Sequence, residues 1–178
     1  MKRTSLTHPL QIAAVSAGAG LGSVGLTFCP GKRDRHAMTG VWDRDLGIDL
    51  DAIRAWGAAA VITLIAHEEF DLLGVETLGK EVALRQMIWF HLPIVDASTP
   101  DSKFERQWDA AAGKLHALIR NRQNVLVHCR GGLGRAGTIA ARLLIELGWS
   151  PADAISQVRA VRPGAIENER QEKYIKNH

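Results

Sequence analysis

The sequence predicts an α/β domain with a mostly parallel central sheet of about five strands, covered by helices on both faces. Three observations predict it. Residues 60–66 (AVITLIA) and 125–127 (VLV) are short apolar runs without alternation, the pattern of strands buried on both faces. Segments with helical period lie between such runs. The length, 178 residues, is that of one domain with a sizeable core, so residues 1–178 are read as a single domain.

The elements follow in order. Lys2 and Arg3 precede a mild apolar stretch that His8, Pro9 and Gln11 interrupt. It reads as the start of the fold, with residues 1–10 free to stay disordered; a cleaved signal peptide is the lesser alternative. Residues 12–15 and 24–28 are strand candidates. Between them, Gly20-Leu21-Gly22-Ser23-Val24-Gly25 matches the dinucleotide pattern GxGxxG. That pattern needs a helix opening on its last glycine, whereas Leu26-Thr27-Phe28-Cys29-Pro30-Gly31 has strand-and-turn character. With 17 glycines in the chain a chance match is easy, so the segment is read as a turn between two strands.

Residues 60–66 supply the next strand, and residues 89–95 another that ends at Asp96. Phe104, Trp108, Ala111, Ala112, Leu115, Leu118 and Ile119 share one helical face. Residues 125–127 form the strand before His128. Ala136, Ile139, Ala140, Leu143, Leu144 and Leu147 form a second helical face, which Gly148 ends. Ser150 and Pro151 start a further helix as N-cap and first-turn proline, with Asp153 in its first turn. It stops before Pro163-Gly164, and an amphipathic segment from Ile166 to Lys176 follows.

Composition excludes several classes. Hydrophobic residues make up 46% and charged residues 23%, which excludes collagen, a disordered tail and a disulfide-stapled mini-protein. Lys plus Arg is 22 against 19 for Asp plus Glu, so the formal charge is +3. That small, dispersed excess suits an anionic ligand and not a nucleic-acid partner. The two cysteines, Cys29 and Cys129, form no disulfide framework, so a reducing, cytoplasmic compartment is expected. No apolar run reaches about 18 residues, so no membrane span is expected, and a monomer is the default.

The chemistry concentrates in residues 125–138 (VLVHCRGGLGRAGT). A buried strand carries His128 and Cys129 to its C-terminal end, where open parallel sheets place ligands. The backbone of Arg130, Gly131, Gly132, Leu133, Gly134 and Arg135 then curls into a helix N-terminus, aiming N–H groups inward as an anion nest. Arg135 can offer parallel donors to phosphate oxygens. The same positive field favours Cys129 as a thiolate. A thiolate beneath a phosphate cradle is set for in-line attack on phosphorus through a phosphocysteine. The histidines and cysteines lack metal-ligand spacing, so neither metal nor other cofactor is expected.

HCRGGLGR resembles the HCxxGxxR signature of the cysteine-dependent protein tyrosine and dual-specificity phosphatases. Residues 92–96 (LPIVD) with 98–101 (STPD) resemble the general-acid loop of the cyclin-dependent-kinase-associated phosphatase group. Residues 161–167 (VRPGAIE), with Gln171, resemble that group's C-terminal segment. The resemblance covers roughly residues 24–176. It implies a phosphatase-like fold and a phosphorylated protein as substrate, and does not carry over a cyclin-dependent kinase.

Roles follow. Asp96 ends a strand on the same sheet edge as Cys129 and is the expected general acid, as the resemblance also implies. Asp101 is the rival, though it stands where a helix N-cap belongs. His128 precedes the nucleophile and should point away from the pocket; the resemblance implies that it steadies the loop and the thiolate. Gln171 would, by the resemblance, face the pocket and place water. Arg130 reads equally as a rim cation or a solvated arginine.

Cys29 is either a resolving partner for an oxidised Cys129 or an inert buried thiol, and the second is favoured. One departure stands out. Many relatives carry Ser or Thr directly after the signature arginine, where this chain has Ala136, and Thr138 should point elsewhere. The leading reading is hydrolysis of phosphotyrosine, phosphoserine or phosphothreonine in proteins. The alternatives are a phosphatase for lipid or small-molecule phosphates, and a slow-turnover phosphate-binding pseudo-phosphatase.

Overall fold

Gly-rich residues 17–22 close a hairpin: β1 (Ala13–Ser16) pairs antiparallel with β2 (Ser23–Phe28). No helix opens on Gly25, which lies inside β2, so the dinucleotide pattern is the expected turn and strand. The computed structural model describes residues 2–37 and 39–178. After the hairpin come a small ribbon of β3 (Arg33–Asp34) and β4 (Trp42–Asp43), then α1 (Leu46–Ala55), β5 (Ala58–Thr63), α2 (His67–Leu73), α3 (Leu78–Leu84) and β6 (Ile88–His91). The remaining elements are α4 (Ser102–Arg120), β7 (Asn124–Cys129), α5 (Gly134–Glu146), α6 (Pro151–Val161) and α7 (Glu169–Lys176).

The main sheet has the order β1-β2-β7-β5-β6, parallel except for the β1–β2 pair. β7 is central, and its neighbours end level with it: Phe28 aligns with Cys129, and Thr63 with His128. Alternation along β7 divides the core. Val125, Val127 and Cys129 pack into the cluster under α4, α5, α6 and α7, while Leu126 joins the cluster under α1, α2 and α3. Both faces of the sheet are covered, as the uninterrupted apolar runs required.

Two strands are shorter than their apolar runs. β5 stops at Thr63 and β6 at His91, yet the chains stay in contact beyond them: Leu92 N–H donates to Thr63 O and Ile94 N–H to Leu64 O, each at 3.0 Å. This extended tail brings Asp96 to the edge where Cys129 sits. α1, α2, α3 and the ribbon were not read from the sequence. α2 and α3 have 7 residues each, too short to display a period.

The ribbon is fastened from below. Arg44 and Asp49, both wholly buried, pair at 2.7 Å, and Asp49 also accepts the N–H of Gly31 at 2.9 Å. Arg44 Nη1 donates to the carbonyls of Thr4 (3.4 Å) and His8 (2.8 Å), and Arg3 N–H donates to Val41 O at 2.9 Å. Residues 3–8 are thereby tied to the ribbon. Among the described residues, no helix is long and apolar enough to cross a membrane.

Candidate active site

β7 ends on Cys129, 3% exposed, at the floor of a cavity of about 340 Å³. The Gly132 N–H donates to Cys129 Sγ at 3.2 Å, so the loop already points a donor at that sulfur. Gly132 has φ +71°, and a Cβ there would lie 2.4 Å from the Thr27 carbonyl carbon, so the bend requires glycine. Leu133 caps α5, and the helix dipole adds to the field over Cys129.

Arg135 is 2% exposed and reaches across to three groups. Nη1 donates to Glu69 Oε2 at 2.6 Å and to Ile94 O at 3.1 Å, and Nη2 donates to Glu69 Oε1 at 3.0 Å. Nη2 also lies 2.8 Å from Asp96 Oδ1. Burial would lower the guanidinium pKa, but the Glu69 hydrogen bonds and the charges of Cys129, Glu69 and Asp96 raise it well above its ordinary range. It stays cationic. Its Nε is buried without a partner among the described residues.

Sequence reasoning missed Glu69. It stands in the first turn of α2, and its Oε2 also accepts the Ala66 N–H at 2.8 Å. A signal was present: a carboxylate just past a buried strand, at the same sheet edge as Cys129. Lys32 was missed as well. It is 4% exposed, lines the cavity, and holds its ammonium 4.3 Å from the Trp42 ring centroid.

Asp96 is 62% exposed in its side chain, and its Oδ1 accepts the N–H of Ala97, which has φ +56°. Asp101 Oδ1 instead accepts the Phe104 N–H at 2.8 Å as N-cap of α4. Arg130 lines the cavity but is paired: Nε and Nη2 donate to Asp34 Oδ2 at 3.1 and 2.9 Å.

Gln171 differs from expectation. It is wholly buried, with Oε1 accepting Glu167 N–H at 2.9 Å and Nε2 donating to Ser98 O at 3.3 Å. Its amide ties α7 to the loop that carries Asp96, while the exposed carboxylate of Glu167 lines the cavity. Glu167 and Gln171 both crowd Gly134, where a Cβ would lie 2.0 Å from Glu167 Oε2.

His128 points away from the pocket. Trp89 Nε1–H donates to Thr63 Oγ1 at 2.8 Å, and Thr63 Oγ1 shares a hydrogen bond with His128 Nε2, also at 2.8 Å. Burial pushes the His128 pKa down to about 3, with the Cys129 backbone only partly opposing it, so the ring is neutral. Cys29 packs in the cluster on the opposite sheet face from Cys129, and burial pushes its thiol pKa up. Ala136 is wholly buried, and the Thr138 hydroxyl donates to Gly134 O at 2.8 Å. Among the described residues, no group of three or more His, Cys, Asp or Glu side chains could hold a metal ion.

Known proteins resemble this chain in sequence and fold. A family model described as a Swiss Army Knife protein, DSP-PTPase phosphatase domain (PTP-SAK), matches residues 41–175. Cyclin-dependent kinase inhibitor 3 of Rattus norvegicus is 30% identical over 169 residues, spanning 93% of this chain and 74% of that protein. Protein tyrosine phosphatase type IVA 3 of Mus musculus is 31% identical over 131 residues, 72% of this chain and 69% of that protein. The crystal structure of kinase-associated phosphatase, with serine for its catalytic-site cysteine, superposes with a TM-score of 0.80 at 27% identity, covering 94% of this chain and 92% of that one. Tk-PTP in its active form gives a TM-score of 0.67 at 26% identity, covering 93% and 97%.

Proposed function

Since the chain belongs to the family of cysteine-dependent dual-specificity and tyrosine phosphatases, we propose that it hydrolyses phosphate monoesters on protein side chains through a phosphocysteine at Cys129. One observation carries the reading. Cys129 and Asp96 line one cavity, with the Gly132 amide aimed at the Cys129 sulfur and Arg135 held 2.8 Å from Asp96.

In the first step the Cys129 thiolate attacks phosphorus in line with the ester oxygen. The S–P bond forms as the P–O bond breaks, and Asp96 gives its proton to the leaving oxygen. Arg135 and the loop amides hold the non-bridging oxygens and their growing charge. In the second step water attacks phosphorus, its proton passes to the Asp96 carboxylate, and the S–P bond breaks to return the thiolate. Neutral His128 takes no proton in either step.

A protein substrate fits better than one carrying several phosphates. The base inside the loop, Arg130, is held by Asp34 and is not free to meet a second phosphate. The test is turnover of p-nitrophenyl phosphate and of phosphotyrosine and phosphothreonine peptides in EDTA, with Cys129→Ser and Asp96→Asn in parallel. Metal-independent turnover lost in Cys129→Ser is the expected result. Turnover confined to phosphoinositides, or none from folded protein, overturns the reading.

A further inference from the structure

The phosphate-binding loop can turn its amides toward substrate only if its carbonyls are held outward. Each carbonyl from Arg130 to Leu133 has a donor. Leu133 O accepts backbone N–H groups from Gly137 (2.8 Å) and Ile166 (3.3 Å). The three before it each take a side-chain donor from a distant part of the chain. Arg162 Nε donates to Gly132 O at 3.2 Å, and its Nη2 to Gly131 O at 3.1 Å. Lys32 Nζ donates to Arg130 O at 3.4 Å, beside the Cys29 N–H on the same oxygen at 3.3 Å. Meanwhile the amides of Gly131 and Leu133 have no protein acceptor among the described residues.

These two cations are unusual. Among the described residues, neither Lys32 nor Arg162 has a carboxylate within ion-pair distance, and the nearby Asp34 is taken by Arg130. Lys32 is 4% exposed and lies over the rings of Trp42 and Phe28, at 4.3 and 5.0 Å from their centroids. A buried cation without a counter-ion is costly. The negative charge nearest in function to both is the one the loop receives. Burial lowers the pKa of each, and the charge of Cys129 opposes that in both.

We infer that Lys32 and Arg162 are positioning residues that grip the loop from its carbonyl side and hold its amides ready for phosphate before substrate arrives. Arg162 supplies a planar fork suited to two successive carbonyls, and Lys32 a single charged donor to the third. The inference rests on reading the cavity as a phosphate site, which the wild-type arm of the experiment tests separately.

The experiment measures KM and kcat for p-nitrophenyl phosphate, inhibition by orthovanadate, and thermal melting. The proteins are wild type, Lys32→Met, Arg162→Met and Arg162→Lys. Methionine keeps an unbranched stem and removes the donor and the charge. Arg162→Met is expected to weaken vanadate and raise KM by about 10- to 100-fold, the loss of a charged hydrogen bond or two. Arg162→Lys, with one compact ammonium for two carbonyls, recovers part of that loss. Lys32→Met weakens vanadate while its melting temperature holds or rises, because a buried ammonium has gone. Vanadate affinity and KM unchanged in folded variants overturn the inference, as does full recovery in Arg162→Lys. Wild-type protein that neither turns over nor binds vanadate overturns the phosphatase reading instead.

Discussion

Asp96 Oδ1 lies 2.8 Å from Nη2 of Arg135, so the proposed proton donor is held by the proposed phosphate-binding group. Arg135 has its other contacts with Glu69 and Ile94, leaving the Asp96 edge for exchange. In the proposed mechanism an arriving phosphate takes the place of the Asp96 carboxylate, and the side chain is released toward the leaving group. Asp96→Asn should therefore have opposite effects on binding and turnover. Peptide turnover falls about 10²- to 10³-fold, less for p-nitrophenyl phosphate, whose leaving group needs little protonation. Orthovanadate binds more tightly, because no carboxylate competes. Steady-state kinetics with vanadate inhibition checks both; weaker vanadate binding would show that the Asp96–Arg135 pair does not compete with phosphate.

Glu69 carries the opposite edge of Arg135. The pair is buried, with side chains 9% and 1% exposed, and the carboxylate accepts from both Nη atoms. Removing one partner of such a pair strands the other charge. Glu69→Ala is expected to cost about 3–5 kcal/mol of stability, read from urea unfolding. It should also raise KM, since Arg135 loses the brace that aims it. Glu69→Gln retains one acceptor and should lie between the two. Equal stability of Glu69→Ala and wild type would contradict this account.

What could be read from the sequence follows from distance along the chain. Cys129, the glycines and Arg135 form one contiguous turn, so their chemistry was visible in a 14-residue stretch. The position of Asp96 at this edge was legible because the apolar run 89–95 points there, although β6 itself stops at His91 and an extended tail covers the rest. Glu69 meets Arg135 across 66 positions and Lys32 meets Arg130 across 98, and no local pattern encodes such pairs. The pocket-facing position of Gln171 is an implication of the resemblance alone, and its burial depends on how α7 docks on Gly134, which no local pattern encodes. Arg130 was undecided for the same reason, since Asp34 reaches it from the ribbon.

Lys32 gives the protein a pH dependence with opposite signs in stability and binding. Burial pushes its pKa down to about 8 from an ordinary 10.5; Cys29, Asp34 and Cys129 act to raise it, and Arg130 to lower it. Between those two values the folded protein has released a proton that the unfolded chain keeps. The Lys32 contribution to stability therefore rises with pH across that window. Its donor charge is lost over the same range, so KM for p-nitrophenyl phosphate should climb above about pH 8. Lys32→Met should flatten that alkaline limb. A limb that persists unchanged in Lys32→Met assigns it to another group.

Ala136 bears on the second step. It follows Arg135 directly in α5 and is wholly buried, and the nearest hydroxyl along the helix, Thr138 Oγ1, is spent on Gly134 O at 2.8 Å. As Cys129 leaves phosphorus its sulfur regains negative charge, which a hydrogen-bond donor at position 136 could stabilise. The Gly132 N–H at 3.2 Å is the donor this loop already gives that sulfur. Attack on substrate does not need a second donor, because charge then leaves the sulfur. The phosphocysteine should accordingly form fast and break down slowly. Rapid-quench kinetics with p-nitrophenyl phosphate should show a burst near one equivalent per site, then a slow linear phase. Ala136→Ser should speed the linear phase about tenfold, the worth of one charge-assisted hydrogen bond, and leave the burst rate unchanged. A linear time course from the first turnover, identical in Ala136→Ser, would place the slow step before the phosphocysteine.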